Sequence, residues 1–199
     1  MTTEGEPIEQ LSRALDQTGA IIAAVRPDEA GLPTPCPAWD VAALINHVVE
    51  DVQHFTASAS GERWERGQAR DLIGDDWLGA YRRSADELLA AWRRPSAVDR
   101  KVQLPFGEYP ATWIVYQHIA DIVVHGWDLA TATGRSADLD PELSDVSLAW
   151  ARDALRPEFR GDEASGRSFG PEVAVPDDAP AIDRLVGFFG RDPSAPLTR

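Results

Sequence analysis

Apolar residues recur every three or four positions along most of this chain, the period of helices that bury one face. Glu6 to Val25 carries such a stripe in Ile8, Leu11, Leu15, Ile21, Ile22 and Val25. Pro27, Gly31, Pro33, Pro35 and Pro37 follow and enforce a loop. That loop runs into Asp40, suited to cap a second helix from Val41 to about Ser58, with Trp39 before the cap as a hydrophobic staple against Leu44. The stretch SASGERWERGQARD reads as a polar loop in which Trp64 packs back on the core. A third helix is predicted from about Asp75 to Trp92, with Arg82, Arg83, Asp86 and Glu87 as its solvated face. Asp99 to Tyr109 reads as extended chain with a turn, and a long helix then ends near Gly134. Pro141 opens a further helix, Phe169, Val173 and Val175 form a short strand or extended strip, and a last helix spans Ala179 to about Phe189. The tail FGRDPSAP is expected to be loosely held. The pattern as a whole predicts an all-α fold.

The segment WIVYQHIADIVVHGWDL, Trp113 to Leu129, departs from simple amphipathicity. It is apolar on nearly every side, as a helix buried in a core is. Its polar residues, His118, Asp121, His125 and Asp128, fall on one stripe at i, i+3, i+7 and i+10. A stripe facing water would carry Lys, Arg and Glu; this one carries the residue types that bind divalent metals or move protons. Asp121 and His125 are four apart, which places their Cβ atoms roughly 6 Å from each other and lets both approach one ion. His118 and His125 are separated by about 10 Å of helical rise, too far to share it. A satisfied network of buried hydrogen bonds is the competing reading.

The second helix supplies the other two histidines, His47 and His54, beside Glu50 and Asp51. Metal sites in helical bundles draw inward side chains from facing helices. His47 with Asp121 and His125 makes two imidazoles and one carboxylate, a three-ligand set with the open position of a catalytic site. His47 with Asp51, and Glu50 with His54, are i, i+4 pairs that compete for the same role.

Composition narrows the partners. A formal net charge of -14 argues against nucleic acid and anionic membrane surfaces. There is no apolar run long enough to span a bilayer and no signal-peptide pattern, and the one cysteine suits a reducing cytoplasm. That residue, Cys36, sits between two prolines and reads as a small apolar filler, with a reactive thiol as the rarer alternative. Seven tryptophans leave room for a homodimer face.

TPCPAWDVAALINHVV together with DIVVHGWDLATATG resembles the proteins related to the N-terminal domain of mycothiol-dependent maleylpyruvate isomerase, within the DinB/YfiT-like superfamily. The resemblance implies a DinB-like four-helix bundle over residues 1–135, with a short helical and extended appendage over 136–199. It implies a divalent ion on His47, Asp121 and His125, zinc first, with nickel, manganese or iron as alternatives. The family's glutamate is Asp121 here, and the isomerase's further C-terminal domain is replaced by about sixty residues of unlike composition. The expected activity is transfer or isomerisation on a small electrophile using a mycothiol-like thiol, with His54, Glu50 and His118 as candidates for proton transfer. The alternative is a metal-binding, sensor or partner-binding module without catalysis.

Overall fold

The computed structural model describes residues 6–37, 39–62, 70–104, 107–135, 139–155, 157, 160–161 and 169–195. Six α-helices lie among them: α1 (Glu6–Ala24), α2 (Val41–Ser60), α3 (Trp77–Trp92), α4 (Ala111–Ala132), α5 (Pro141–Ala154) and α6 (Ala181–Phe188). The all-α expectation holds. Asp99–Tyr109 resolves into the one sheet of the described residues, an antiparallel hairpin of β1 (Lys101–Leu104) and β2 (Gly107–Pro110) with Val102 opposite Tyr109. Trp64, expected to pack on the core, lies outside the described residues.

Asp40 caps α2 as anticipated, its carboxylate accepting from the Ala43 amide at 2.8 Å. Asp76 caps α3 in the same way through Gly79 N, which starts that helix slightly later than the hydrophobic pattern suggests. Gly61, at φ 75°, closes α2 in the left-handed conformation that glycine adopts without strain.

α1 packs along α4 and α3, while α2 packs along α3 and α4, closing a four-helix ring. Leu11, Leu44, Val52, Leu88, Ile119 and Val123 fill its centre and are essentially inaccessible. α1 and α4 pack tightly at Gly126, where an added Cβ would lie 2.9 Å from Thr18 Oγ1. The Thr18 hydroxyl donates to the Ile122 carbonyl at 3.2 Å, so the contact is polar as well as tight.

α4 is apolar all round because it is covered twice. The bundle takes one side, and α5 with α6 takes the other. Trp113 meets Trp150 of α5 edge-on, with ring centroids 5.1 Å apart. α6 is tied to α5 by Arg184 and Asp145 at 2.8 Å, and α1 to the start of α5 by Arg13 with Asp140 and Glu142. The segment around Val173 is an extended strip, not a strand: its amide donates to the Gly187 carbonyl of α6 at 2.9 Å. No helix among the described residues is long and apolar enough to cross a membrane.

Candidate metal centre

The site forms where α2 faces α4 beneath the proline-rich loop. That loop is pinned at both ends, by a bridge between Pro33 and Asp40 and by the Val41 amide donating to the Leu32 carbonyl. Inside it the Thr34 hydroxyl contacts the Cys36 and Trp39 carbonyls, each at 2.8 Å. The Trp39 side chain is thereby laid on the His47 ring, with centroids 4.0 Å apart and planes 22° apart, and edge-on to His125 at 6.0 Å. His47 and His125 are themselves perpendicular at 5.1 Å. The two helices thus present their histidines to each other under an aromatic roof.

His47, Asp51 and His125 each offer a ligand atom, and these atoms lie within 4.8 Å of one another. The side chains are only 12%, 16% and 12% exposed, so a bound ion would be largely shielded from water. His47 Nε2 stands 3.1 Å from Asp51 Oδ2. The i, i+4 pair on α2, weighed against the set containing Asp121, is therefore part of the cluster. Asp121 lies one turn before His125 on α4 and is not among the three.

The two aspartates divide their charge unequally. Burial raises the Asp51 pKa, but the His47 hydrogen bond and the fields of His47, His125 and His118 outweigh it and leave the group below the ordinary carboxylate range. Asp121 is held well above that range, first by burial and then by the Asp51 charge, with Arg191 opposing.

His125 is oriented from behind. Its Nδ1 lies 3.1 Å from Asp128 Oδ2, and Asp128 is inaccessible to solvent. Arg191 grips the same carboxylate through two bonds, Nε to Oδ1 at 3.2 Å and Nη2 to Oδ2 at 2.8 Å. Burial acts to raise the Asp128 pKa, and its bonds to His125 and Arg191 hold it below the usual value instead. Burial depresses the His125 pKa against the pull of Asp128, leaving a neutral ring. With Nδ1 facing a carboxylate, the proton belongs on Nδ1 and the Nε2 lone pair is available to a ligand. The donor set suits a divalent ion: two imidazoles, an aspartate carboxylate and an outer carboxylate fixing one ring.

Arg191 corrects the expectation of a loosely held tail. Besides Asp128, its Nη1 donates to the Phe189 carbonyl at 2.9 Å, so a buried ion pair anchors the chain just beyond α6. The arginine gives no periodic signal in the sequence. Asp128 stands in the polar stripe but three residues from His125, a spacing equally at home in an ordinary helix. Cys36 also proves nearer the chemistry than its neighbours in sequence imply, close enough to act on the buried Arg191 guanidinium.

A cavity of about 620 Å³ opens beside His47. Trp39, Ala43, His47 and Glu50 line it on the α2 side, with Arg70, Ile73 and Trp77 opposite. Asn46 holds the far wall in place, donating to the Arg70 carbonyl at 3.1 Å and accepting from the Leu72 amide at 2.8 Å. Glu50, one turn beyond His47, thus faces space that a small molecule can occupy. His54 lies farther along α2 beside Phe55. His118 sits elsewhere altogether: it is 0% exposed, stacked on Phe55 at 4.0 Å, and neither ring nitrogen has a hydrogen-bond partner among the described residues. That position gives it no open path to a substrate.

Fold and cluster together define a helical bundle with a His/Asp/His centre between facing helices. The sequence model of the mycothiol maleylpyruvate isomerase N-terminal domain matches residues 11–130, and the chain belongs to that family. Uncharacterised proteins from two strains of Mycobacterium tuberculosis are each 36% identical over 190 residues, covering 94% of this chain and 98% of the relative. Crystal structures of the mycothiol-dependent maleylpyruvate isomerase and of a histidine-to-alanine mutant of it superpose with TM-scores of 0.61 and 0.62. Both are 16% identical, and the match spans 84% of this chain and 74% of theirs. At that identity the likeness establishes a shared fold.

Proposed function

We propose that this protein is a metal-dependent enzyme that uses a low-molecular-weight thiol, mycothiol-like, in transfer or isomerisation on a small electrophile. The observation that carries the reading is the convergence of His47, Asp51 and His125 within 4.8 Å at the edge of a cavity of about 620 Å³. The family's namesake is a mycothiol-dependent isomerase, which points the chemistry toward thiols. His47 and His125 would hold the ion with Asp51, and Asp121 would join them from the turn before His125. Zinc suits this mixed nitrogen and oxygen set, and manganese, iron or nickel would follow where they are more available. A bound divalent ion supplies Lewis acidity and keeps a thiol in its nucleophilic, deprotonated form at neutral pH.

The chain's own residues supply the rest. Trp39 and Trp77 provide apolar walls for the body of a ligand, and the Trp39 indole shields the His47 ring from water. Glu50 is placed to take or return a proton inside the cavity, and His54 stands farther along the same helix. Asp128 keeps the His125 lone pair aimed into the site.

The deciding experiment is elemental analysis of the purified protein with the His47→Ala and His125→Ala variants, followed by a thiol and electrophile screen. About one divalent ion per chain, absent from both variants while helical content persists, and thiol-dependent turnover lost with it, are the expected results. Full turnover in His125→Ala would rule the mechanism out. Metal retention without turnover on any electrophile would instead make this a metal-binding module.

A further inference from the structure

We infer that Arg191 is a positioning residue for the metal centre: through Asp128 it fixes the orientation and tautomer of His125, so that docking of the C-terminal segment and the metal affinity of the bundle are linked. The metal arm of this inference rests on the proposed metal centre; the tautomer arm does not.

The geometry is a chain of three groups, two from one turn of α4 and one from beyond α6. The guanidinium presents two nitrogens to the two oxygens of Asp128, at 3.2 and 2.8 Å, the bidentate arrangement that fixes a carboxylate in its plane. The oxygen taking the shorter of these bonds is the one facing His125 Nδ1 at 3.1 Å. Asp128 is 0% exposed and Arg191 12%, so water offers neither group a ready substitute partner. A carboxylate held by one nitrogen alone would turn about its own axis, and the imidazole would lose its fixed acceptor. Clamped by Arg191, it cannot turn, and Nε2 is the nitrogen left for a ligand.

The arginine comes from outside the bundle. It follows α6, whose position depends on α5 through Arg184 and Asp145 and on the extended strip through the Val173 amide. The bundle residues that would hold the ion lie on α2 and α4. Coupling between sites is reciprocal: if the docked segment raises metal affinity, metal binding must stabilise docking by the same factor. A carboxylate behind a metal-bound histidine affects affinity by about 10- to 100-fold when it is lost, and the same range is expected for loss of the clamp that holds it.

The test uses the full chain with Arg191→Ala, Arg191→Lys and, as control, Arg184→Ala. The control weakens the same appendage without touching His125. Two readouts are taken: histidine nitrogen NMR of metal-free protein, which reports which His125 nitrogen carries the proton, and zinc affinity by competition with a chromophoric chelator. The expected result is a single Nδ1-protonated His125 in the wild type and in Arg184→Ala, and a mixture of tautomers in Arg191→Ala. Zinc affinity should fall about 10- to 100-fold in Arg191→Ala and lie between that and wild type in Arg191→Lys, which keeps the charge but not the fork. Wild-type tautomer populations in Arg191→Ala overturn the inference, as does an equal loss of affinity in Arg184→Ala, which would make the effect one of general loosening. If the wild type takes up no zinc at all, the metal-centre reading fails, and the NMR comparison still decides this one.

Discussion

Replacing His118 by phenylalanine should flatten the acid limb of this protein's stability curve. The imidazole is fully buried against the Phe55 ring, and neither nitrogen has a hydrogen-bond partner among the described residues. Burial holds its pKa down to about 3 against a normal 6.5, with the Asp51 charge pulling weakly upward and His54 adding to the depression. Above pH 6.5 the group is neutral in both folded and unfolded chains and contributes no pH dependence. Below that value the unfolded chain takes up a proton and the folded chain does not, until the pH approaches 3. Stability is therefore lost as pH falls through this window, at up to about 1.4 kcal/mol per pH unit from this one residue. At about pH 4.5 the loss attributable to His118 comes to roughly 2.7 kcal/mol. At neutral pH, removing two unpaired nitrogens gains about 1–3 kcal/mol, and the larger ring costs a similar amount in crowding, so the two variants should start close together. The assay is urea unfolding of wild type and His118→Phe from neutral to mildly acid pH, with a chelator present so that metal loss does not enter. The difference between the curves should open below pH 6.5 and widen steadily. Parallel curves would show that His118 is protonated in the folded state, and the assignment of a neutral, unpartnered core histidine would be wrong.

Asp51→Asn and Asp121→Asn should each lower zinc affinity by at least about tenfold, since a neutral amide is a poor replacement for an anionic oxygen ligand; chelator competition reads this, and unchanged affinity in either variant removes that residue from the set. Gly126→Ala should destabilise the bundle by about 1–3 kcal/mol, because its methyl would sit 2.9 Å from Thr18 Oγ1 between α1 and α4. A fall of several degrees in melting temperature checks it, and an unchanged value would show that the two helices can part without cost.

The helices were legible because each carries a local signal. The stripe Ile8, Leu11, Leu15 and Ile22 and the cap Asp40 need no tertiary information to be read. The centrality of α4 was legible too, through the near absence of a polar face. What could not be read was which polar residues meet. His118, Asp121, His125 and Asp128 share one stripe, yet their environments diverge: His118 lies against Phe55, Asp121 senses Asp51, and Asp128 is gripped by Arg191. Helical spacing orders residues along one element and says nothing of what the facing element supplies at each level. Arg191 shows the limit most clearly, since it reaches Asp128 across 63 positions of sequence from a tail with no periodic pattern.

On charge balance we propose that Asp51 and Asp121 would both ligate a divalent ion. Asp128 and Arg191 cancel as a buried ion pair, and His125 is neutral. Of the remaining pair, the hydrogen bond and charges of the histidines hold Asp51 below the ordinary carboxylate range, while burial and the Asp51 charge push Asp121 well above it. A divalent cation bound by Asp51 alone would leave one uncompensated positive charge among side chains only 12–16% exposed. Uncompensated charge in so enclosed a place costs several kcal/mol. An ionised Asp121 would remove that excess and would supply a second oxygen donor from the turn next to His125. The position of Asp121 in the resemblance and the proximity of Asp51 to both histidines would then be complementary, each carboxylate answering one charge of the ion.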